Sequence, residues 1–162
     1  MPILRLLLTA AGSIAALNLR PRVQLARENI EVSATTEELI ETFRERFAES
    51  PDEILAIERD RLVRRFSGAE GPFKFNTVEV VRYEPTAITF EHLAGPFAEC
   101  LERFEFTAMP SGSRLTHTRS YRLRGGLWTA ALAFGPVKKA FESHVRGHFE
   151  NLADEFATAN AL

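Results

Sequence analysis

The side chains best placed to do chemistry are the histidines, a strand of alternating polar residues and a set of carboxylates and arginines. His144 and His148 (HVRGH) stand one helical turn apart. At about 100° per residue they project near one another. Such a pair can begin a zinc site, but the protease form carries Glu directly after the first His and needs further ligands. Val145 occupies that place and no third ligand is identifiable, so no metal is expected. His148 lies inside the apolar stripe of its segment and His144 near the edge. His148 is therefore either a hydrogen-bonded polar residue at a cavity wall or rim, or a group for ligand recognition or proton transfer near neutral pH.

The second constellation lies in residues 114–123. Leu115, His117, Arg119, Tyr121 and Leu123 share one face by period two, and Thr116, Thr118, Ser120 and Arg122 share the other. Leucines at both ends favour an inward first face, which would bring His117, Arg119 and Tyr121 to a cavity. The alternative leaves them solvated. Turned inward, Arg119 needs a carboxylate partner or an anionic ligand, because an unpaired buried charge is costly.

Glu91, Glu99, Glu102 and Glu105, with Arg103, Arg119 and Arg122, fall on neighbouring strands and are expected to pair across them. Acid–base catalysis would need two such groups inside a cavity with their pKa values pushed apart. Arg59, Arg61, Arg64 and Arg65 read as a solvated sheet surface, and Cys100 as a small buried hydrophobe.

Composition removes several functions. The formal net charge is −2, which gives no electrostatic case for nucleic acid. A single cysteine permits no intrachain disulfide and no cysteine-based zinc cluster. No Gly-rich phosphate loop and no nucleophile elbow is present, so no cofactor is expected. The chain's 162 residues suit one domain, and 13 Phe can fill a core or line a cavity.

The positioning elements follow from periodicity. Residues 28–34 alternate as a strand. Thr35 and Thr36 before Glu37 and Glu38 mark the start of a short helix running to about Ala48. Five strands then read at 54–66, 73–83, 87–93, 97–109 and 114–123, joined by short turns as an antiparallel meander. Helical periodicity covers residues 127–159, broken at Gly135-Pro136, where either two helices abut or one bends. Beyond the proline, Val137, Phe141, Val145, Phe149, Leu152 and Phe156 form one apolar stripe.

Residues 1–22 form a separate apolar segment ahead of the domain at 23–162. Residues 2–19 are apolar apart from Arg5, Thr9, Ser13 and Asn18, and Arg20, Arg22 and Arg27 follow. A short membrane anchor, a targeting segment and a packing helix all fit this pattern. An anchor would leave the main domain cytoplasmic.

Several phrases, in order, resemble one superfamily. Val80-Val81-Arg82-Tyr83-Glu84-Pro85 is similar to its turn between central strands. Gly95-Pro96-Phe97 with Glu102-Arg103-Phe104-Glu105-Phe106 is similar to the following strand pair. Ser111-Gly112-Ser113-Arg114-Leu115-Thr116 is similar to its hairpin entry, with Ser113 where Thr is usual, and Gly125-Gly126-Leu127 opens the last helix. Together, over residues 27–159, they resemble the SRPBCC superfamily of START-like helix-grip domains, which includes polyketide cyclase/dehydrase-like and lipid-transfer proteins.

The resemblance implies an α+β helix-grip fold: a curved antiparallel sheet wrapped around a long C-terminal helix, with an apolar cavity between them. It implies binding or transport of a small hydrophobic ligand, such as a lipid or polyketide-like molecule. The wall would come from Phe73, Phe75, Phe90, Phe104, Phe106, Phe141, Val145 and Phe149, and polar recognition from His117, Arg119, Tyr121 and His148. Two alternatives stay open. One is a cyclase or dehydratase using His117, Tyr121 or His148 to move protons. The other is a membrane-tethered interaction module using residues 2–19, a stretch that serves as an anchor in some relatives.

Overall fold

The computed structural model describes residues 22–48, 53–70, 73–125 and 133–159. The N-terminal apolar segment lies outside the described residues. Among those described, no helix is long and apolar enough to cross a membrane.

Strand β1 is Val23–Gln24 and β2 is Glu28–Val32. Helix α1 spans Thr36–Ala48. It starts where its threonine and acids require. The Thr35 hydroxyl accepts from the Glu38 amide at 3.2 Å, and the Glu38 carboxylate accepts from the Thr35 amide at 2.8 Å. Each side chain thus satisfies a backbone donor at the helix end. The meander continues through β3 (Glu53–Glu58), β4 (Arg61–Glu70), β5 (Phe73–Glu84), β6 (Ala87–His92), β7 (Phe97–Met109) and β8 (Gly112–Leu123). A π-helical turn at Ala133–Val137, containing Pro136, runs directly into helix α2, Lys138–Ala159.

All pairings are antiparallel, in the order β1-β8-β7-β6-β5-β4-β3, with β2 also along β8. This is the α+β helix-grip architecture: one open sheet holding α2 against its inner face. The stripe of α2 does the holding. Val137, Phe141, Val145, Phe149 and Leu152 are buried. Toward the C-terminal part of α2, Phe149 and Leu152 join Leu39 and Phe43 of α1 and Phe104 and Phe106 of β7 in one core cluster. Toward its start, Val137 and Phe141 join Val23, Leu25, Phe97 and Tyr121 in a second.

Two expectations need correction. Residues 54–66 are not one strand. Arg59-Asp60 turns the chain into a hairpin, closed by Arg61 donating to Glu58 at 2.6 Å and by the Tyr83 amide donating to the Asp60 carbonyl at 2.8 Å. Nor does the strand end at Phe66, since β4 runs on to Glu70. Gly68 lies within β4, opposite Phe75, and a Cβ there would stand 2.7 Å from the Phe66 ring. The glycine serves close ring packing rather than a turn.

Candidate functional site

The register of the sheet arranges the inner face in lateral rows. One row runs Arg64–Glu79–His92 across β4, β5 and β6. The next runs Arg119–Glu102–Phe90–Val81–Leu62 across β8 to β4. A bulge between Phe97 and Glu99 puts one extra residue into β7, so Phe97 and Cys100 both face inward and Glu102, Phe104 and Phe106 follow on that face. The rows floor a cavity of about 430 Å³ beneath α2. Phe43, Phe66, Phe75, Phe90, Phe104 and Phe149 make its apolar wall, Arg64, Glu79, His92, Glu102 and Arg119 its polar floor, and Arg46, His144 and His148 its mouth. An apolar lining with a few convergent polar groups is the composition of a ligand site.

Glu79 accepts from Arg64 Nε at 2.6 Å, and Arg64 Nη2 lies 2.5 Å from the same oxygen, with both side chains almost wholly buried. His92 Nε2 lies 3.5 Å from the other Glu79 oxygen. Burial, then Arg119, then Arg64 push the His92 imidazole down to about 4, against some opposition from Glu102, so the ring is neutral at physiological pH. Its Nδ1 lies 3.2 Å from the Thr77 hydroxyl.

In the second row, Glu102 lies 2.7 Å from His117 Nε2 and 3.7 Å from Arg119 Nη1. Burial would raise the Glu102 carboxyl, but Arg119 and His117 outweigh it and hold it at about 2. The carboxylate is ionised, so His117 Nε2 carries the proton it donates. The guanidinium carbon of Arg119 sits 3.9 Å from the centre of the Phe141 ring.

The structure distributes the candidate residues as follows. Phe75, Phe90, Phe104, Arg119, Val145, His148 and Phe149 line the cavity. Phe106 is buried against Phe43, with ring centres 5.8 Å apart. Phe141 packs on Tyr121 at 5.3 Å. Tyr121 is fully buried and donates its hydroxyl to the Ala133 carbonyl at 2.6 Å. Burial raises its pKa well above the ordinary phenol value. His117 is fully buried under the Phe104 and Phe149 rings, at 4.8 and 6.0 Å. The Phe73 side chain lies outside the described residues.

His148 stands exposed at the rim with its ring stacked near that of His144, the centres 6.1 Å apart and 13° from parallel. Burial of its inner edge, then His144 and Arg46, lower its pKa. Among the described residues, no group of three or more His, Cys, Asp or Glu gathers to hold a metal ion.

Sequence reading placed Arg64 on a solvated surface, and that is overturned. Arg64 points inward because β4 pairs it with Glu79, and the two neutralise each other there. Its neighbours hid this, since Arg61 and Arg65 on the same strand are partnered at exposed sites with Glu58 and Glu53. Glu79, His92, Phe43 and Phe66 were also missed as lining. For Glu79 a signal existed: it shares period two with Phe75, Thr77 and Val81. Other charges pair across strands as expected, with Arg122 near Glu99 at 3.3 Å, Arg103 on Glu84 at 2.9 Å and Arg82 on Glu91 at 2.8 Å, while Arg103 also bonds Glu105 of its own strand at 3.0 Å.

The sheet, the gripped helix and the cavity between them define a helix-grip fold. No family model and no curated protein matches the sequence. Solved structures do. TTHA0849 from Thermus thermophilus superposes with a TM-score of 0.67 at 18% identity, over 86% of this chain and 99% of that one. The Zhui aromatase/cyclase from a Streptomyces species gives 0.62 at 15% identity, over 80% and 94%. A START superfamily protein from Mycobacterium smegmatis gives 0.51 at 17% identity, over 80% and 99%. At these identities the likeness is one of fold.

Proposed function

We propose that the protein binds, and carries or presents, a small hydrophobic molecule in the cavity between the sheet and α2. The observation that carries this reading is the cavity itself: about 430 Å³, walled by six phenylalanines and floored by charged groups that already hold one another. That volume falls within the range of small-molecule sites. The helix-grip fold, shared with a START superfamily protein, supports the reading.

Native mass spectrometry of the purified protein, and thermal shift against neutral aromatic compounds and lipids, test it. A bound ligand raises Tm with concentration. Val145→Trp, which fills the cavity from α2, should abolish the shift while circular dichroism stays unchanged. A bare mass together with no compound that shifts Tm would sink the proposal.

A cyclase or dehydratase is the second reading. The fold of the Zhui aromatase/cyclase supports it, as do two lining imidazoles held below their ordinary pKa and so able to accept a proton. They are His92 and His148 rather than His117 and Tyr121, which do not line the cavity. Turnover of a polyketide-type substrate that survives both His92→Asn and His148→Ala would rule this version out.

A further inference from the structure

Three arginines line the cavity, and each already has a carboxylate. Arg64 is bonded to Glu79, Arg119 faces Glu102 at 3.7 Å, and Arg46 is paired with Glu155 at the mouth. The charged groups of the lining therefore balance without a ligand. The floor between the two inner pairs carries a neutral histidine, His92, with Nδ1 beside the Thr77 hydroxyl and Nε2 3.5 Å from Glu79. From this charge balance we infer that the site selects neutral ligands bearing hydroxyl or carbonyl oxygens, such as phenols and hydroxylated polycyclic aromatics, and discriminates against carboxylates, fatty acids included. This rests on the ligand-binding reading above and adds the chemical class of the ligand.

The physical grounds are desolvation and repulsion. A carboxylate entering the cavity loses its hydration and meets no unbalanced cation. It would also approach Glu79 and Glu102, both fixed on the floor, and like charges at close range are unfavourable. A hydroxyl meets none of these penalties. It can donate to a floor carboxylate oxygen, and a ligand carbonyl can accept from an arginine N–H without disturbing the charge balance. The six phenyl rings supply the apolar enclosure for the rest of such a molecule.

Matched pairs of two sizes test the inference at neutral pH by calorimetric titration: 2-naphthol against 2-naphthoate, and a hydroxyanthraquinone against the corresponding carboxylate. The expected result is that each neutral member binds about tenfold tighter or more than its carboxylate partner. Carboxylates that bind as well as or better than their partners would overturn the inference and leave the ligand-binding reading intact. If no member of either pair binds, the ligand-binding reading fails and takes the inference with it. The comparison needs no variant. Glu102→Gln adds a positive arm: with the carboxylate gone and Arg119 unbalanced, naphthoate should gain affinity and naphthol should not. A folded Glu102→Gln protein that still rejects naphthoate would overturn the charge-balance explanation.

Discussion

Glu79 and Glu102 are two carboxylates on the floor of one cavity, and they are held differently. Glu79 is gripped from the neighbouring strand, with two nitrogens of Arg64 on one oxygen and a neutral imidazole near the other. Glu102 is shared by two residues of one strand, His117 at 2.7 Å and Arg119 at 3.7 Å. The first arrangement concentrates its stability in one tight ion pair. The second spreads it, so that loss of either partner leaves the other in place. A buried pair is sensitive to removal of one member because the survivor is stranded in a poor solvent for charge. The contrast teaches where this floor is brittle and where it is tolerant.

The largest expected effect tests the brittle side. Arg64→Ala should lower stability by about 3–5 kcal/mol in urea unfolding, the range for breaking a buried pair. Arg119→Ala should lower it by less, since His117 still donates to Glu102. Equal losses would erase the distinction.

Acid comes next, and it separates the two rows by pH. His92 has its pKa lowered from 6.5 to about 4 in the fold. Between those values the unfolded chain binds a proton that the native ring refuses, so stability falls as pH drops through that window, by on the order of 3 kcal/mol. Urea titrations from neutral pH down to about 4 should show this slope, and His92→Asn should flatten it. Glu102 acts lower. Its carboxyl is held at about 2 against an ordinary 4.5, so its contribution is complete above 4.5 and is lost as pH falls toward 2. A His92→Asn protein that keeps its slope above pH 4.5 would place the titrating group elsewhere.

Similar in size is Glu102→Gln. The amide oxygen can still accept from His117, but Arg119 loses its countercharge, so the loss at neutral pH should be about 3 kcal/mol, with the low-pH slope removed and the slope above 4.5 retained. The smallest effect belongs to Tyr121→Phe, which touches neither row. It deletes the hydroxyl's bond to Ala133 and should lower stability by about 1 kcal/mol with both pH windows unmoved. If Tyr121→Phe altered either slope, the two rows would not be the independent units described.

Much of this was legible in the sequence where one period dominates. The stripe of α2 and the alternation of β8 each repeat one pattern over several turns or pairs, and Leu115, His117, Arg119 and Tyr121 are all buried on one face. The short helix was marked by its threonine and acids. What failed was parity. Along β7 the bulge changes which residues face inward, so no single alternation fits Phe97 and Phe104 together. Along β4 charged residues occupy both faces, and only the register with β5 separates buried Arg64 from exposed Arg65. β1 is two residues long and carries no periodic signal; its pairing with Tyr121 and Ser120 defines it. The cavity itself is a property of several strands at once, and no local window contains it.

The β7 bulge has a consequence for how this strand can be altered. Ala98 is the spare letter of the strand: Phe97 stands opposite Leu123 and Glu99 opposite Arg122, so loss of Ala98 would close the ladder with Phe97, Cys100, Glu102, Phe104 and Phe106 still facing inward. Between Cys100 and Phe106 there is no such slack, and loss of one residue there would exchange the inner and outer faces on one side of the cut. The strand can therefore absorb a length change at its bulge but not along the run that floors the cavity.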